Sequence, residues 1–221
     1  MQFKCWSQHY CKHVETCSPD YCPAHVIMQV LYSQSNIPKR YQYGIKFVVD
    51  TQNDKNVFGR IKTIQDNIST WVEEGHSLVL MSPTKGNGKT SIACKLAHDY
   101  IKSVLDTTIL DPAVYFINVP QFLEELRPNN TDKDKLDTVM KRVREVPLLI
   151  MDDVGAEKPS DWVRERLYSI INDRYSDMKS TIYTTNSTMQ DLSINLQERI
   201  VSRMTCDEVL VLDGTSKRGR V

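Results

Sequence analysis

The apolar residues of this chain fall into five short runs, and these runs predict the strands of an α/β fold. They lie at residues 77–82, 113–119, 146–153, 181–186 and 209–212. The run at 146–153 is apolar almost throughout, which is typical of a strand buried on both faces of a parallel sheet. We therefore predict a central parallel sheet with helices packed on its faces.

Between these runs, apolar side chains recur every three or four residues, which is the spacing of amphipathic helices. The positions that mark the predicted helices are 26–31, 61–72, 89–104, 122–126, 136–143, 161–175 and 197–204. We interpret 61–72 as one helix that ends at Gly75, because glycine often follows the last helical turn. Ser160 is the predicted N-cap of the helix after it, and Pro38 ends the first helix.

The strand predicted at 77–82 leads directly into a glycine-containing turn and then into a helix. This order is typical of the phosphate-binding loop of nucleoside triphosphatases. Glycine lets backbone N–H groups turn towards phosphate, Lys89 is expected to reach the β- and γ-phosphates, and Thr90 is expected to bind Mg²⁺. The predicted nucleotide-binding residues are Thr84, Lys85, Gly86, Asn87, Gly88, Lys89, Thr90 and Ser91. Pro83 stands where this motif usually has glycine.

Two carboxylates end the predicted strand at 146–153, at the edge of the sheet where α/β proteins bind ligands. We predict that Asp152 holds hydrated Mg²⁺ and that Asp153 orients or deprotonates the attacking water. Many related ATPases have glutamate at the second position, so the shorter aspartate predicts slow hydrolysis. The alternative interpretation is a solvated acidic turn after a core strand.

Four further residues are candidates for the same chemistry. Asn186 ends the next predicted strand and could position the attacking water, although asparagine is also a common turn residue. Arg199 and Arg203 lie four residues apart on one helix face. Arg203 is the preferred arginine finger towards a neighbouring subunit, and a solvated basic face is the alternative. Arg218 could contact phosphate or could belong to a basic tail.

The composition limits what else the protein could bind. The 221 residues contain 28 Lys and Arg against 28 Asp and Glu, so any contact with DNA must be local. No apolar run approaches the length of a membrane span, and the first residues do not read as a signal peptide. We expect a soluble, cytoplasmic protein without a membrane partner.

Four of the six cysteines crowd the first 22 residues. In a reducing compartment such a cluster more often holds a metal than disulfides. We predict structural Zn²⁺, bound by Cys5, Cys11, Cys17 and Cys22, with His9 or His13 as alternate ligands. Unligated thiols or redox chemistry are the alternatives. The predicted domains are a zinc-binding module with its linker at 1–44 and an ATPase domain at 45–221.

Residues 152–175 resemble the replicative helicase loaders of the DnaC/DnaI group, including phage-encoded versions. Residues 181–186 and 198–204 extend the resemblance, which covers roughly 45–218. It implies an AAA+ ATPase core whose sheet has the order 5-1-4-3-2. By motif position it also implies that Arg203 is the arginine finger and that Arg218 is the sensor-2-like residue.

The resemblance further implies the partners. The N-terminal module would bind a hexameric DnaB-type helicase, the ATPase core would contact single-stranded DNA, and the cofactors would be ATP, Mg²⁺ and Zn²⁺. Copies of the ATPase domain would associate with one another. The expected function is ATP-dependent loading of the helicase onto single-stranded DNA. The alternatives are an IstB-like transposition helper and a nucleotide-gated helicase adaptor or inhibitor with little hydrolysis.

Overall fold

A five-stranded parallel sheet organises the part of the chain that the computed structural model describes, residues 23–42, 51–105, 111–127 and 133–214. The strands are β1 (Ser77–Met81), β2 (Val114–Asn118), β3 (Leu148–Asp152), β4 (Ser180–Thr185) and β5 (Glu208–Val211). They lie in the order β2-β3-β4-β1-β5, and all four neighbouring pairs are parallel. Read from the other edge, this is the expected order 5-1-4-3-2.

Helices connect the strands. They are α1 (Pro23–Gln34), α2 (Gln52–Asp66), α3 (Ile68–Glu73), α4 (Lys89–Ser103), α5 (Val119–Glu125), α6 (Lys133–Glu145), α7 (Asp161–Ser176), α8 (Met189–Leu196) and α9 (Glu198–Met204). Ser160 caps α7 as predicted, because its hydroxyl accepts a hydrogen bond from the Val163 backbone N–H. None of these described helices is both long and apolar enough to cross a membrane.

One predicted helix was wrong, and another helix was not predicted. The helix predicted over 61–72 is two helices, because the chain leaves helical geometry at Asn67, where φ is −120°. The Asn67 side chain donates to the Thr63 carbonyl at 3.0 Å, and its own carbonyl accepts from the Trp71 N–H at 2.9 Å, so one residue ends α2 and begins α3. The short helix α8 was not predicted; Thr188 and Asp191 cap its first turn reciprocally.

The sheet divides the apolar core into two layers. Alternate residues of β1 point to opposite faces, so Leu78 and Leu80 join one layer while Val79 and Met81 join the other. Helices α1 to α4 pack on the first face, and α5 to α9 pack on the second. Burial on both faces is the reason that β3 is an almost continuous apolar run.

The chain that follows α1 lies along the β2 edge of the sheet. The Phe116 N–H donates to the Ser35 carbonyl at 2.8 Å, and the Asn36 side chain donates to the Phe116 carbonyl at 2.9 Å. Met28, Leu31 and Ile37 are buried in the same core layer as α4. Residues 23–42 therefore pack on the sheet and its helices. The domain boundary predicted at 44 stays a prediction, because residues 43–50 lie outside the described part of the chain.

Candidate nucleotide-binding site

The turn between β1 and α4 has the backbone that its glycines predict. Gly86 and Gly88 have φ angles of 83° and 103°, in the left-handed region where side chains are rarely tolerated. Gly88 is the N-cap residue of α4, so the positive end of that helix faces the turn. Pro83, which stands where the motif usually has glycine, is exposed.

Ser82 and Asn87 support this turn from inside. The Ser82 hydroxyl accepts a hydrogen bond from the Thr84 N–H at 3.1 Å and another from the Asn87 side-chain amide. That amide also donates to the Leu212 carbonyl at 3.3 Å, which ties the turn to the end of β5. Ser82 was not among the predicted site residues. Its fully buried hydroxyl is the reason that this position is polar.

The ammonium group of Lys89 lies inside the turn, surrounded by oxygen atoms. The side chain is 5% exposed, and Nζ donates to the carbonyls of Ser82 and Thr84 at 3.3 and 3.4 Å. It also donates to Oδ1 of Asn87 at 3.3 Å and to Oδ1 of Asn186 at 2.9 Å. These four acceptors are neutral oxygen atoms, so the ammonium can exchange its bonds to them for stronger ones to phosphate.

The Asp152 carboxylate lies beside the first turn of α4. Its Oδ1 accepts hydrogen bonds from the hydroxyls of Thr90 and Thr184, each at 2.7 Å. Burial raises the pKa of Asp152, and hydrogen bonds from Thr90, Thr184 and Asn118 oppose that rise. An ionised carboxylate that shares a buried site with a threonine hydroxyl is a donor set that suits Mg²⁺.

Asp153 and Asn186 face each other across the ends of β3 and β4. Asp153 has a positive φ of 59°, and its Oδ1 accepts from the Asn186 amide at 3.0 Å. The Asn186 side chain therefore bridges Lys89 and Asp153, with its oxygen towards the ammonium and its nitrogen towards the carboxylate. Backbone conformations this uncommon cluster at functional sites.

Arg199 and Arg203 lie elsewhere, on α9 where it packs against α7. Their guanidinium carbons lie 4.3 and 5.2 Å from the centre of the Tyr168 ring. Arg203 Nε also donates to Oδ1 of Asn172 at 3.0 Å, and its Nη1 donates to the Arg199 carbonyl at 2.7 Å. The two arginines thus share one helix face, as their spacing predicted, and contact α7.

The structure brings together Lys89, Thr90, Asp152, Asp153 and Asn186 at the carboxyl edge of the sheet. Sequence reasoning missed the residues that hold them. Apart from Ser82, these are Thr184, the last residue but one of β4, and Asn118, the last residue of β2. Both strands pair with β3, the acidic strand. The sequence does show polar residues at the ends of these strands. To predict that they contact Asp152, however, one must also know which strands pair with each other.

Several predicted residues lie outside the described part of the chain. They are Arg218, Cys5, Cys11, Cys17, Cys22, His9 and His13. The zinc site therefore stays a prediction. Comparison with known proteins gives it no support.

Three features at this edge of the sheet together define a class of nucleotide-binding proteins. They are the glycine-containing turn, the buried lysine and the Thr–Asp pair. A Cβ added at Gly88 would meet no atom within 4 Å, so the turn is open there, and Thr90 and Asp152 present oxygen ligands at the start of the helix that follows. The residues present thus fit both a nucleoside triphosphate and Mg²⁺. The chain is a phosphate-loop nucleotide-binding domain of the AAA+ class.

Comparison with known proteins identifies the family. A family model described as IstB-like ATP binding protein matches residues 43–213, so the chain belongs to that family. The replicative helicase loader DnaI of Bacillus subtilis is 24% identical over 168 residues, which are 75% of this chain and 50% of that protein. The replicative helicase loader DnaC of Escherichia coli is 26% identical over 147 residues, which are 64% of this chain and 56% of that protein.

A solved structure supports the same relationship. The crystal structure of the DnaC helicase loader has a TM-score of 0.62 and 28% sequence identity, and the match covers 80% of this chain and 100% of that chain. The present chain spans about half the length of the curated relatives DnaI and DnaC. AAA+ proteins of this family bind ATP and typically hydrolyse it, which implies nucleotide and Mg²⁺ as cofactors.

Proposed function

We propose that this protein is an ATP-dependent loader that places a hexameric DnaB-type replicative helicase on single-stranded DNA when replication begins. The observation that carries the proposal is the similarity to a DnaC loader over the whole of that solved chain. The nucleotide site adds support, because Thr90 bonds to Asp152 and Asn186 bonds to both Lys89 and Asp153. The protein would act in the bacterial cytoplasm.

In this proposal each residue of the site has a separate task. Lys89 binds the β- and γ-phosphates, and the backbone of residues 84–91 surrounds them. Thr90 and Asp152 hold Mg²⁺, which neutralises charge on the phosphates. Asp153 accepts a proton from the attacking water or orients it. Asn186, which already touches both Lys89 and Asp153, positions that water against the γ-phosphate.

The proposal assigns Arg203 a role across a subunit boundary. Its side chain is partly exposed, and its guanidinium contacts Tyr168 and Asn172 on α7. A cation presented in this way can reach the γ-phosphate of a neighbouring copy and stabilise transition-state charge. Arg218 would contact the phosphate from its own subunit. Assembly of several copies is therefore required for hydrolysis.

ATP turnover in mixed assemblies tests this function. Turnover by the wild type should rise at least about tenfold when a DnaB-type helicase and single-stranded DNA are added, because they align neighbouring copies. Arg203→Ala and Asp153→Asn should each abolish that rise. A mixture of the two variants should recover part of it, because some interfaces combine an intact pocket with an intact finger.

Two outcomes would contradict the proposal. If Arg203→Ala responds like the wild type, Arg203 does not act in trans and Arg199 becomes the candidate. If the helicase neither binds nor stimulates the protein, the loader function is wrong. Glu198→Ala is the matched control, because it removes a charge from α9 next to Arg199 and should leave stimulation within about twofold.

The family match favours a second candidate function. The family model is that of IstB-like proteins, and an insertion-sequence ATP-binding protein of Sinorhizobium fredii is 32% identical over 114 residues. A transposition helper would bind duplex DNA with ATP and would need no helicase. Duplex binding without helicase binding would therefore favour this candidate. Helicase binding without ATP turnover would favour a nucleotide-gated adaptor or inhibitor, which the short Asp153 side chain allows.

We further propose that the N-terminal residues form a zinc module that binds the helicase. Purified protein should contain about one equivalent of Zn²⁺ by elemental analysis, because four ligands complete one tetrahedral site. Cys17→Ser should release the metal and prevent helicase binding, while nucleotide binding persists. Cys206→Ser is the control, since Cys206 is exposed and far along the chain. Metal-free protein prepared without chelator would contradict the zinc module.

A further inference from the structure

Two threonine hydroxyls at the end of β4 bond to consecutive residues at the end of β3. The Thr184 hydroxyl donates to Oδ1 of Asp152 at 2.7 Å and accepts from the Asp153 N–H at 3.0 Å. The Thr185 hydroxyl donates to the Val154 carbonyl at 2.7 Å and accepts from the Ser187 N–H at 3.0 Å. Both side chains are fully buried, so no water competes for these bonds.

The two threonines are chemically alike but differ in their hydrogen-bond partners. Thr184 contacts the carboxylate and the backbone of the two acidic residues, whereas Thr185 contacts only backbone beyond them. A hydroxyl has one proton to donate, and Thr184 directs it to the carboxylate because its oxygen also accepts from Asp153. The orientation of the Asp152 side chain is thereby fixed relative to the backbone of Asp153.

We propose that Thr184 is a positioning residue of the Mg²⁺ site, which holds the Asp152 carboxylate and the Asp153 backbone in place. Thr90 donates to the same carboxylate oxygen, but its hydroxyl is the one expected to bind the metal. The Thr184 bond uses a hydroxyl that no metal requires. Residues that orient metal-binding groups from behind in this way commonly affect metal affinity strongly. The inference rests on the proposed nucleotide site.

The second bond of Thr184 affects the residue proposed to activate water. Asp153 has a left-handed backbone, with φ at 59°, and this conformation is uncommon for residues other than glycine. The Asp153 N–H bonds to the Thr184 hydroxyl, and the next N–H, that of Val154, bonds to the Thr184 carbonyl at 2.9 Å. Thr184 thus satisfies two successive backbone donors and stabilises the turn that aims Asp153 at Asn186.

The Mg²⁺ dependence of nucleotide binding tests this role. Binding of a fluorescent ATP analogue to the full chain would be titrated with Mg²⁺ and measured again in EDTA. Thr184→Val has nearly the same shape but no hydroxyl, so its half-saturating Mg²⁺ concentration should rise roughly tenfold or more. Thr184→Ser keeps the hydroxyl and should stay within about threefold of the wild type. Affinity in EDTA should be unchanged in both variants.

Thr185→Val is the matched control, because it removes an equally buried hydroxyl with the same number of bonds. Its thermal stability should fall as much as that of Thr184→Val, while its Mg²⁺ dependence stays within about twofold of the wild type. The same Mg²⁺ dependence in Thr184→Val and Thr185→Val would overturn the inference. If Thr184→Val does not fold, Thr184→Ala removes the same hydroxyl and the same comparison applies.

A different outcome separates the inference from the proposal beneath it. If the wild type itself binds nucleotide without any response to Mg²⁺, or binds none, the proposed nucleotide site is wrong, and the role of Thr184 is wrong with it. If the wild type responds and only the Thr184→Val comparison fails, the nucleotide site stands and Thr184 is a structural residue.

Discussion

Replacing Lys89 by alanine should weaken the binding of Mg²⁺–ATP by roughly 100-fold or more, because at least two charge-assisted hydrogen bonds to phosphate are lost. The buried ammonium has neutral oxygen atoms of Ser82, Thr84, Asn87 and Asn186 around it, so phosphate is the stronger partner. The measurement is a titration with a fluorescent ATP analogue. The fold of the variant should be checked by thermal denaturation without nucleotide.

Lys141→Ala provides the control for the loss of a lysine. Its side chain is 71% exposed on α6 and forms a long ion pair with Glu145 at 3.9 Å. We expect its affinity for nucleotide to match that of the wild type. A folded Lys89→Ala protein with unchanged affinity would show that the turn between β1 and α4 does not bind phosphate.

Replacing Arg174 by methionine should lower the free energy of unfolding by roughly 3–5 kcal/mol, because the guanidinium serves several buried carbonyls at once. The side chain is 1% exposed. Its nitrogen atoms donate to the carbonyls of Val143, Arg144, Val146, Pro147 and Ser180 and to the hydroxyl of Thr181. Methionine fills similar space but removes the charged donor that all these oxygen atoms share.

The position of Arg174 explains why this one side chain contributes so much to the free energy of unfolding. It lies on α7 and joins the carboxyl end of α6 to the starts of β3 and β4, where helix carbonyls lack partners within the helix. Burial lowers its pKa to about 10, so the guanidinium remains charged at neutral pH. Each of its bonds is therefore a charge-assisted one.

Urea denaturation followed by circular dichroism measures this effect. Arg144→Met is the matched control, since it removes an arginine whose side chain is 44% exposed and paired with Asp173 at 3.1 Å. An exposed ion pair contributes about 1 kcal/mol or less, so this control should lose no more than that. A comparable small loss in Arg174→Met would contradict the stabilising role of the buried guanidinium.

Much of the fold could be predicted because the signals are local in the chain. Burial on both faces makes β3 an unbroken apolar run, and the left-handed turn before α4 requires glycine at 86 and 88. The apolar periodicity did not predict the end of a helix where a single residue sets it. The pattern from Ile61 to Val72 identified one buried face correctly, but the side chain of Asn67 divides it into two helices.

The sequence alone determined which residues are candidates for binding phosphate and metal and for activating water, because Lys89, Thr90, Asp152 and Asp153 belong to motifs that are continuous in the chain. Only the tertiary structure decided what holds them in place. Thr184 meets Asp152 across 32 residues, and Arg174 meets Val143 across 31, because parallel strands and packed helices bring distant segments together. Such hydrogen bonds depend on strand order and register, which come from the packing of the whole sheet and leave no periodic trace in the sequence.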